Sequence, residues 1–179
     1  MVYVLLGTGF EEMEAIAPID LLRRAGISVL TVGVDGKAIT GSHGITVEAD
    51  ITLDQMDLTE LEMIVLPGGL GGVATARSSQ PALDALRFAY EYDKYVAAIC
   101  AGPTVLAELG IIGTSPATCY PGCESGMGDA AVVEAPWGTS GKLITGASAG
   151  CAIPFALALI EALKGKDEAS RIEKQIVIR

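Results

Sequence analysis

The sequence has few basic residues and almost no histidine. Its 179 residues include one histidine, His43, and 12 lysines and arginines against 22 aspartates and glutamates, which gives a formal net charge of −10. A single histidine excludes any site that needs two imidazoles from one chain. The excess of negative charge argues against a nucleic-acid partner and against anionic membrane surfaces, because like charges repel.

Long hydrophobic runs are also missing. No apolar segment approaches the roughly 20 residues of a membrane-spanning helix, and no basic leader segment precedes the first apolar run. We therefore expect a cytoplasmic protein with no membrane partner, in which the four cysteines are mostly reduced. Half of the residues are hydrophobic, which is enough to build one folded domain over residues 1–179.

Apolar runs alternate with helical patterns along the chain. Strands are predicted over residues 2–6, 27–34, 63–66, 96–99 and 143–145, a hairpin from strands 37–40 and 45–48, helices over about 18–25, 81–92, 103–109 and 151–163, and a closing helix followed by a strand at 176–178. The first helix is expected to begin near Pro18, because proline is tolerated near a helix start, and to end at Gly26. This alternation predicts an open, mostly parallel α/β sheet with helices on both faces, and ligands bind such sheets beyond the carboxyl ends of the strands.

A cysteine stands where a buried strand is expected to turn directly into a helix. Cys100 follows the apolar residues 96–99, and the small residues Ala101 and Gly102 allow a tight turn. This is the arrangement of a nucleophile elbow, with sulfur in place of oxygen. The amides at the start of the helix are expected to favour the thiolate, so Cys100 is the first candidate for a nucleophile.

Two other strand ends carry residues that suit the same chemistry. The turn at residues 67–72 contains Gly68 and Gly69, whose amides can approach a substrate closely and hold a developing oxyanion. Three glutamates follow the first strand, and Glu14 is the one that can point inward, between Met13 and Ala15. A buried carboxyl has a raised pKa and can share a proton with a thiolate.

Together these motifs resemble the ThiJ/PfpI superfamily, and most of all its Parkinson-associated deglycase branch. The resemblance is carried by EEMEAIAPIDLLRRAGI, LPGG, AAICAGPT and FALALIEALKGK, and it spans nearly the whole chain. It implies a flavodoxin-like three-layer sandwich that forms a homodimer. It further implies Cys100 as the reactive, oxidisable thiol, Glu14 as the protonated carboxyl bonded to it, and oxyanion amides from Gly69 and Ala101.

The resemblance also implies an activity, although this chain differs from the family's common residues at two places. Family members are described as cofactor-free glyoxalases that convert methylglyoxal to lactate, as deglycases, and as stress sensors or chaperones. The family commonly has a histidine before a proline where this chain has Tyr120, and the arginine expected before the last long helix is absent from residues 146–150. Tyr120 is therefore expected in the pocket wall, but its ordinary pKa near 10 makes it a poor general base.

The remaining thiols and the histidine leave alternatives open. Cys119 either resolves an oxidised Cys100 through a disulfide or is buried without a partner. Cys119 and Cys123 lack the two further ligands of a zinc site, so no metal is expected, and Cys151 is expected to pack. His43 lies in the predicted hairpin and is either a solvated turn residue or reaches the pocket of a dimer partner.

Two functions follow from these residues. The first is a cysteine-dependent, cofactor-free glyoxalase or deglycase that acts on a small aldehyde or a glycated substrate. The second is a redox-sensing or chaperone-like stress protein with an oxidisable Cys100 and little turnover. A flavodoxin-like carrier is disfavoured, because three acids follow the Gly-Thr-Gly turn at residues 7–9 and would repel a phosphate. A glutamine amidotransferase would need a Cys-His pair.

Overall fold

The computed structural model describes residues 1–178 and contains eleven strands and six α-helices within them. In chain order these are β1 (Val2–Leu6), α1 (Glu12–Arg24), β2 (Val29–Gly33), β3 (Ala38–Thr40), β4 (Thr46–Glu48), β5 (Ile51–Thr52), β6 (Met63–Leu66), α2 (Leu70–Ser78), α3 (Gln80–Glu91), β7 (Tyr95–Ile99), α4 (Gly102–Glu108), β8 (Pro116–Ala117), β9 (Ala131–Val132), β10 (Trp137–Ser140), β11 (Leu143–Gly146), α5 (Ala152–Lys164) and α6 (Lys166–Gln175). None of the helices combines the length and the apolar composition that a membrane crossing requires.

Seven strands form the central sheet in the order β10-β11-β7-β6-β1-β2-β5. All neighbouring pairs are parallel except β10 with β11, which is antiparallel. The central strands β1 and β6 are buried along their whole length, as expected for parallel strands covered on both faces. Because they are parallel, β1, β6 and β7 end at the same edge of the sheet.

Helices cover both faces of this sheet. The side chains of Val4, Val65 and Ile99 face one layer, where α1, α5 and α6 pack. The neighbouring residues Leu5 and Leu66 face the other layer, which contains α2, α3 and α4. The prediction of a mostly parallel α/β sheet between two helical layers is therefore confirmed.

Helix α1 begins earlier than predicted. It starts at Glu12 and contains Pro18 in its middle, where proline leaves the carbonyl of Glu14 without its helical partner. The burial of Pro18, Ile19 and Leu22 against the sheet maintains the helix across this break. Its end is as predicted: Gly26, at φ +64°, follows the last turn, and its amide donates to the carbonyl of Arg23.

Two further expectations about helices and strands are wrong. Residues 70–72, interpreted as part of a glycine turn, form the first turn of α2. The strand predicted at residues 176–178 is absent, because α6 is followed by a turn in which Val177 has φ +57°, a left-handed conformation that interrupts an extended backbone. The prediction of one domain over residues 1–179 stays a prediction, and Arg179 lies outside the described residues.

Candidate active site

Cys100 occupies the corner between β7 and α4 in a strained backbone conformation. Its φ is +65°, which is rare for a residue other than glycine and is typical of functional positions. Hydrogen bonds to the end of β11 and from the loop after β8 hold the corner. The Cys100 amide donates to the carbonyl of Gly146 at 2.9 Å, and the Tyr120 amide donates to the carbonyl of Cys100 at 2.9 Å.

Glu14 projects from the first turn of α1 into the same place. It is 1% exposed, and its Oε2 accepts a hydrogen bond from the Gly68 amide at 2.9 Å. Its other oxygen, Oε1, is buried and has no hydrogen-bond partner among the described residues. Gly68 also lies against the thiol: a Cβ added there would be 2.6 Å from Cys100 Cβ and 3.0 Å from Sγ. The glycine therefore makes room for the carboxyl and the thiol together.

Both acidic groups of this pair hold their protons more tightly than usual. Burial raises the pKa of Glu14 to about 7, and the negative charge of Glu11 adds to this effect while the Cys100 thiol opposes it. Burial, together with the neighbouring Glu14, raises the pKa of the Cys100 thiol to about 12. The amide at the start of α4 does favour the thiolate, but desolvation and the adjacent carboxyl outweigh it, so the pKa of the thiol is raised.

The two amides expected to hold an oxyanion lie near the sulfur. Against the larger effect of burial, hydrogen bonds from the Ala101 and Gly69 amides lower the pKa of the Cys100 thiol. Gly69 can take this position because it has φ +87° and no side chain: a Cβ added there would lie 2.5 Å from the Glu11 nitrogen. A side chain at residue 69 would collide with the end of the β1–α1 turn.

Tyr120 and Cys119 follow the elbow but differ in placement. The amide of Tyr120 donates a hydrogen bond to the carbonyl of Cys100, whereas Tyr120 itself is 49% exposed. Cys119 is buried, and burial together with the nearby Glu124 raises the pKa of its thiol to about 11. With Cys151 it lines a cavity of about 420 Å³, and Cys100 is not among the lining residues.

Sequence reasoning singled out Glu14 among the three glutamates that follow the first strand and missed Glu12. It is 6% exposed, and its oxygens accept hydrogen bonds from the hairpin turn: from the His43 amide at 2.8 Å, from Ser42 Oγ at 3.3 Å and from the Ile45 amide at 3.4 Å. His43 Nδ1 lies 2.9 Å from Glu12 Oε2. The signal in the sequence was the chain's one histidine in a Gly-Ser-His-Gly turn, with no indication of its partner.

Glu11, Glu12 and His43 form the one group among residues 1–178 with the donor spacing of a metal site, because one ligand atom from each lies within 4.8 Å of the others. Hairpin donors already engage both oxygens of Glu12. Hydrogen bonding accounts for the arrangement, and we do not assign these residues as metal ligands.

The Gly-Thr-Gly turn does not offer a phosphate site. Such a site needs free amides, but here the Thr8 amide donates to Asp35, the Gly9 amide to the carbonyl of Thr40 and the Phe10 amide to that of Gly7. The bond from Gly9 to Thr40 instead joins the β1–α1 turn to the hairpin. The carrier alternative is not supported by this geometry.

Comparison with known proteins gives consistent matches over this chain. The sequence model of the DJ-1/PfpI family matches residues 1–162. The protein dj-1beta of Drosophila melanogaster is 37% identical over 98% of this chain and 95% of its own length. A protein named as a deglycase from Pyrococcus horikoshii is 34% identical over 73% of this chain and 78% of its own length. The solved structure of oxidised DJ-1 from Toxoplasma gondii superposes with a TM-score of 0.93 at 33% identity and covers 98% of this chain and 97% of that one.

Proposed function

The chain belongs to the DJ-1/PfpI family, and from this premise we propose that it is a cysteine-dependent, cofactor-free enzyme of the glyoxalase or deglycase type. Its substrates in this proposal are methylglyoxal or the adducts that methylglyoxal forms. The observation that supports it most is the strained Cys100 beside a buried carboxyl, Glu14. A related protein is named a deglycase, which agrees with carbonyl chemistry.

The proposed reaction uses the thiol as nucleophile and the carboxyl as proton carrier. The sulfur of Cys100 adds to the aldehyde carbon, and the carbonyl oxygen takes up the proton released by the thiol to give a hemithioacetal. Glu14 then removes a proton from that carbon and returns it to the neighbouring carbon, while the hydroxyl proton passes to the oxygen of the neighbouring carbonyl. The adduct is thereby isomerised to a thioester without net oxidation. Water hydrolyses the thioester, releases lactate and restores the thiol. The amides of Gly69 and Ala101 stabilise negative charge on the substrate oxygen.

A second candidate is a redox-responsive stress protein with little turnover. One observation favours it: no imidazole follows the elbow, since Tyr120 stands there. In this proposal a hydroperoxide oxidises Cys100 to the sulfenic acid, and water or an alcohol leaves. Cys119 could then condense with it and release water, although the burial and the raised pKa of Cys119 slow that step.

We also propose that residues 1–179 form one domain that assembles into a homodimer acting on small substrates. An exposed apolar surface supports the dimer. It is formed by Met13 and Ile16 on α1 and by Ile45 in the hairpin, whose exposed fractions are 59%, 41% and 57%. The cytoplasmic location stays a prediction.

The test of the leading proposal is lactate production from methylglyoxal by the wild type, Cys100→Ser and Glu14→Gln. We expect turnover in the wild type and a loss of about 100-fold or more in both variants, which is the range of nucleophilic and acid–base contributions. Cys123→Ser is the matched control, because this half-buried cysteine lies outside the site. A wild type without turnover would contradict the enzyme proposal.

Mass spectrometry after mild peroxide separates the outcomes for the second candidate. Gain of two oxygen atoms on Cys100 identifies the sulfinic acid, and sulfinic Cys100 without any disulfide excludes a resolving role for Cys119. Loss of two hydrogens in a peptide pair that contains Cys100 and Cys119 identifies the disulfide. An unmodified Cys100 would contradict the redox role.

A further inference from the structure

We propose that a cavity beside the nucleophile corner is a second reactive-thiol site, in which Cys151 adds to an uncharged α,β-unsaturated carbonyl compound with an apolar substituent. The cavity has a volume of about 420 Å³, within the range of about 300–1,000 Å³ that small-molecule sites occupy. Neither Cys100 nor Glu14 is among its lining residues. The reaction is therefore separate from the one proposed for Cys100.

The cavity lies between the Cys100 corner and the edge of the sheet formed by β10. Cys119 and Ala147 line it, and each is next in the chain to a residue that hydrogen-bonds Cys100, namely Tyr120 and Gly146. The outer wall comes from β9 and from the segment that leads to β10. The surface proposed for the homodimer lies on α1 and the hairpin, so the cavity wall and that surface are formed by different elements.

The lining of the cavity favours an uncharged, apolar ligand. Val132 and Val133 are 40% and 38% exposed, so the outer wall can be reached from solvent. Glu124 and Glu134 also line the cavity. A backbone amide donates to Glu124 and lowers the pKa of its carboxyl, and this negative charge repels an anionic ligand. Burying an unpaired charge against apolar walls is costly, and six of the eleven lining residues are apolar: Pro121, Val132, Val133, Ala135, Pro136 and Ala147.

Two thiols line the cavity, and they suit different roles. Cys151 is half-buried and is the N-cap residue of α5, but its side chain makes no capping hydrogen bond. The Ser148 hydroxyl donates to its sulfur at 3.6 Å. Burial raises the pKa of the Cys119 thiol to about 11, so this thiol is protonated at neutral pH. Because the thiolate is the nucleophilic form, Cys151 is the attacking residue of the two.

Cys119 is an unpaired donor that points to a ligand with an acceptor. The residue is 6% exposed, and its thiol has no hydrogen-bond partner among residues 1–178. A protonated thiol is a weak hydrogen-bond donor, and here it lines a cavity instead of meeting a protein acceptor. The carbonyl oxygen of the ligand supplies the missing acceptor.

The reaction is a conjugate addition. The sulfur of Cys151 forms a bond to the β-carbon of the ligand, the carbon–carbon π bond breaks, and its electron pair moves toward the carbonyl oxygen. The Cys119 thiol donates a hydrogen bond to that oxygen as its negative charge develops. The proton given up by the Cys151 thiol ends on the α-carbon. No oxidant or cofactor is consumed, and the protein gains the whole mass of the ligand.

The experiment uses the full chain with Cys100→Ser and two probes, N-phenylmaleimide and N-methylmaleimide. The probes share the reactive double bond and its carbonyl groups and differ in the apolar substituent. Peptide mass spectrometry at a series of times gives the rate at each cysteine. We expect N-phenylmaleimide to modify Cys151 about tenfold faster than Cys123, which is also half-buried but has a thiol whose pKa is raised by burial. The rate at Cys151 should saturate with probe concentration, because binding precedes addition.

Two substitutions test the wall and the donor in the same background. Val133→Asp should slow the reaction of N-phenylmaleimide at Cys151 about tenfold, through lost burial of the phenyl group, and leave that of N-methylmaleimide nearly unchanged. Val177→Asp is the matched control, since Val177 is 64% exposed and does not line the cavity. Cys119→Ala should slow both probes about two- to tenfold, whereas Cys119→Ser, which keeps a donor, should not.

Three results would overturn the proposal: modification of Cys151 no faster than that of Cys123, a rate at Cys151 that stays linear in probe concentration, or equal effects of the two aspartate substitutions. Because every measurement is made without the Cys100 thiol, none of these results bears on methylglyoxal turnover by the wild type. Failure here is thus distinct from failure of the proposed function.

Discussion

The burial of one carboxyl, that of Glu14, has two opposing consequences: it suits the group for proton transfer, and it makes the ionised form costly. It lies where the protein excludes water, and only one of its two oxygens has a hydrogen-bond partner. An ionised carboxylate is costly in such a place, so burial raises the pKa of Glu14 to about 7. The same property that suits Glu14 for proton transfer near neutral pH therefore makes it a source of instability once it ionises.

This conflict predicts how stability depends on pH. The protonated carboxyl is favoured by the folded state, so its contribution is fully present below the ordinary pKa of 4.5 and is lost as the pH rises to about 7. At about 1.4 kcal/mol for each pKa unit, the loss is about 3 kcal/mol. Urea unfolding at a series of pH values should show this difference between the wild type and Glu14→Gln. The exposed Glu161→Gln is the control, and wild-type and Glu14→Gln curves that run parallel would contradict the prediction.

The turn between β6 and α2 brings the backbone next to both reactive side chains. At Gly68 an added Cβ would collide with Glu14 Oε2 and lie 2.6 Å from Cys100 Cβ. We expect Gly68→Ala to destabilise the protein by about 1–3 kcal/mol, the usual cost of overpacking, and to change the alkylation rate of Cys100. Gly138→Ala is the matched control, because nothing lies within 4 Å of a Cβ at that position. Equal effects of the two substitutions on both measurements would refute this prediction.

The elements that sequence reasoning predicted well are those whose local pattern agrees with their burial. Residues 2–6 and 63–66 are apolar throughout, and both form fully buried strands with the predicted bounds. Helix α2 was missed because it begins with Leu-Gly-Gly, and glycine is a poor helix former. The start of α1 was missed because packing against the sheet outweighs the break at Pro18.

The residues of the site divide in the same way, into those that a local sequence pattern identifies and those that only the tertiary fold brings together. The nucleophile corner and the glycine turn have local signatures, so Cys100, Gly68 and Gly69 could be singled out from the sequence. The pairing of Glu12 with His43 joins residues 31 positions apart, and it exists only because the hairpin folds onto the start of α1. Likewise, the pKa of the Cys100 thiol follows from desolvation, which a sequence pattern does not measure.

At the scale of the whole molecule, three of the exposed apolar side chains lie close to the site. Met13 and Ile16 are three residues apart on α1 and share a face of the helix. Ile45 follows the hairpin turn, and its amide lies 3.4 Å from the carboxyl of Glu12. A chain with a net charge of −10 repels its own copies at long range, so in the proposed homodimer contact between apolar side chains must outweigh that repulsion.

This argument predicts that the double variant Met13→Lys and Ile45→Lys is monomeric. Size-exclusion chromatography with light scattering should give the wild type twice the mass of one chain and the variant the mass of one. Because two lysines move the net charge toward zero, dissociation cannot result from added repulsion and must reflect the loss of apolar contact. Tyr90→Lys is the control, since Tyr90 is 55% exposed on α3, in the opposite helical layer. A monomeric wild type, or a double variant that remains dimeric, would show that this surface does not form the interface.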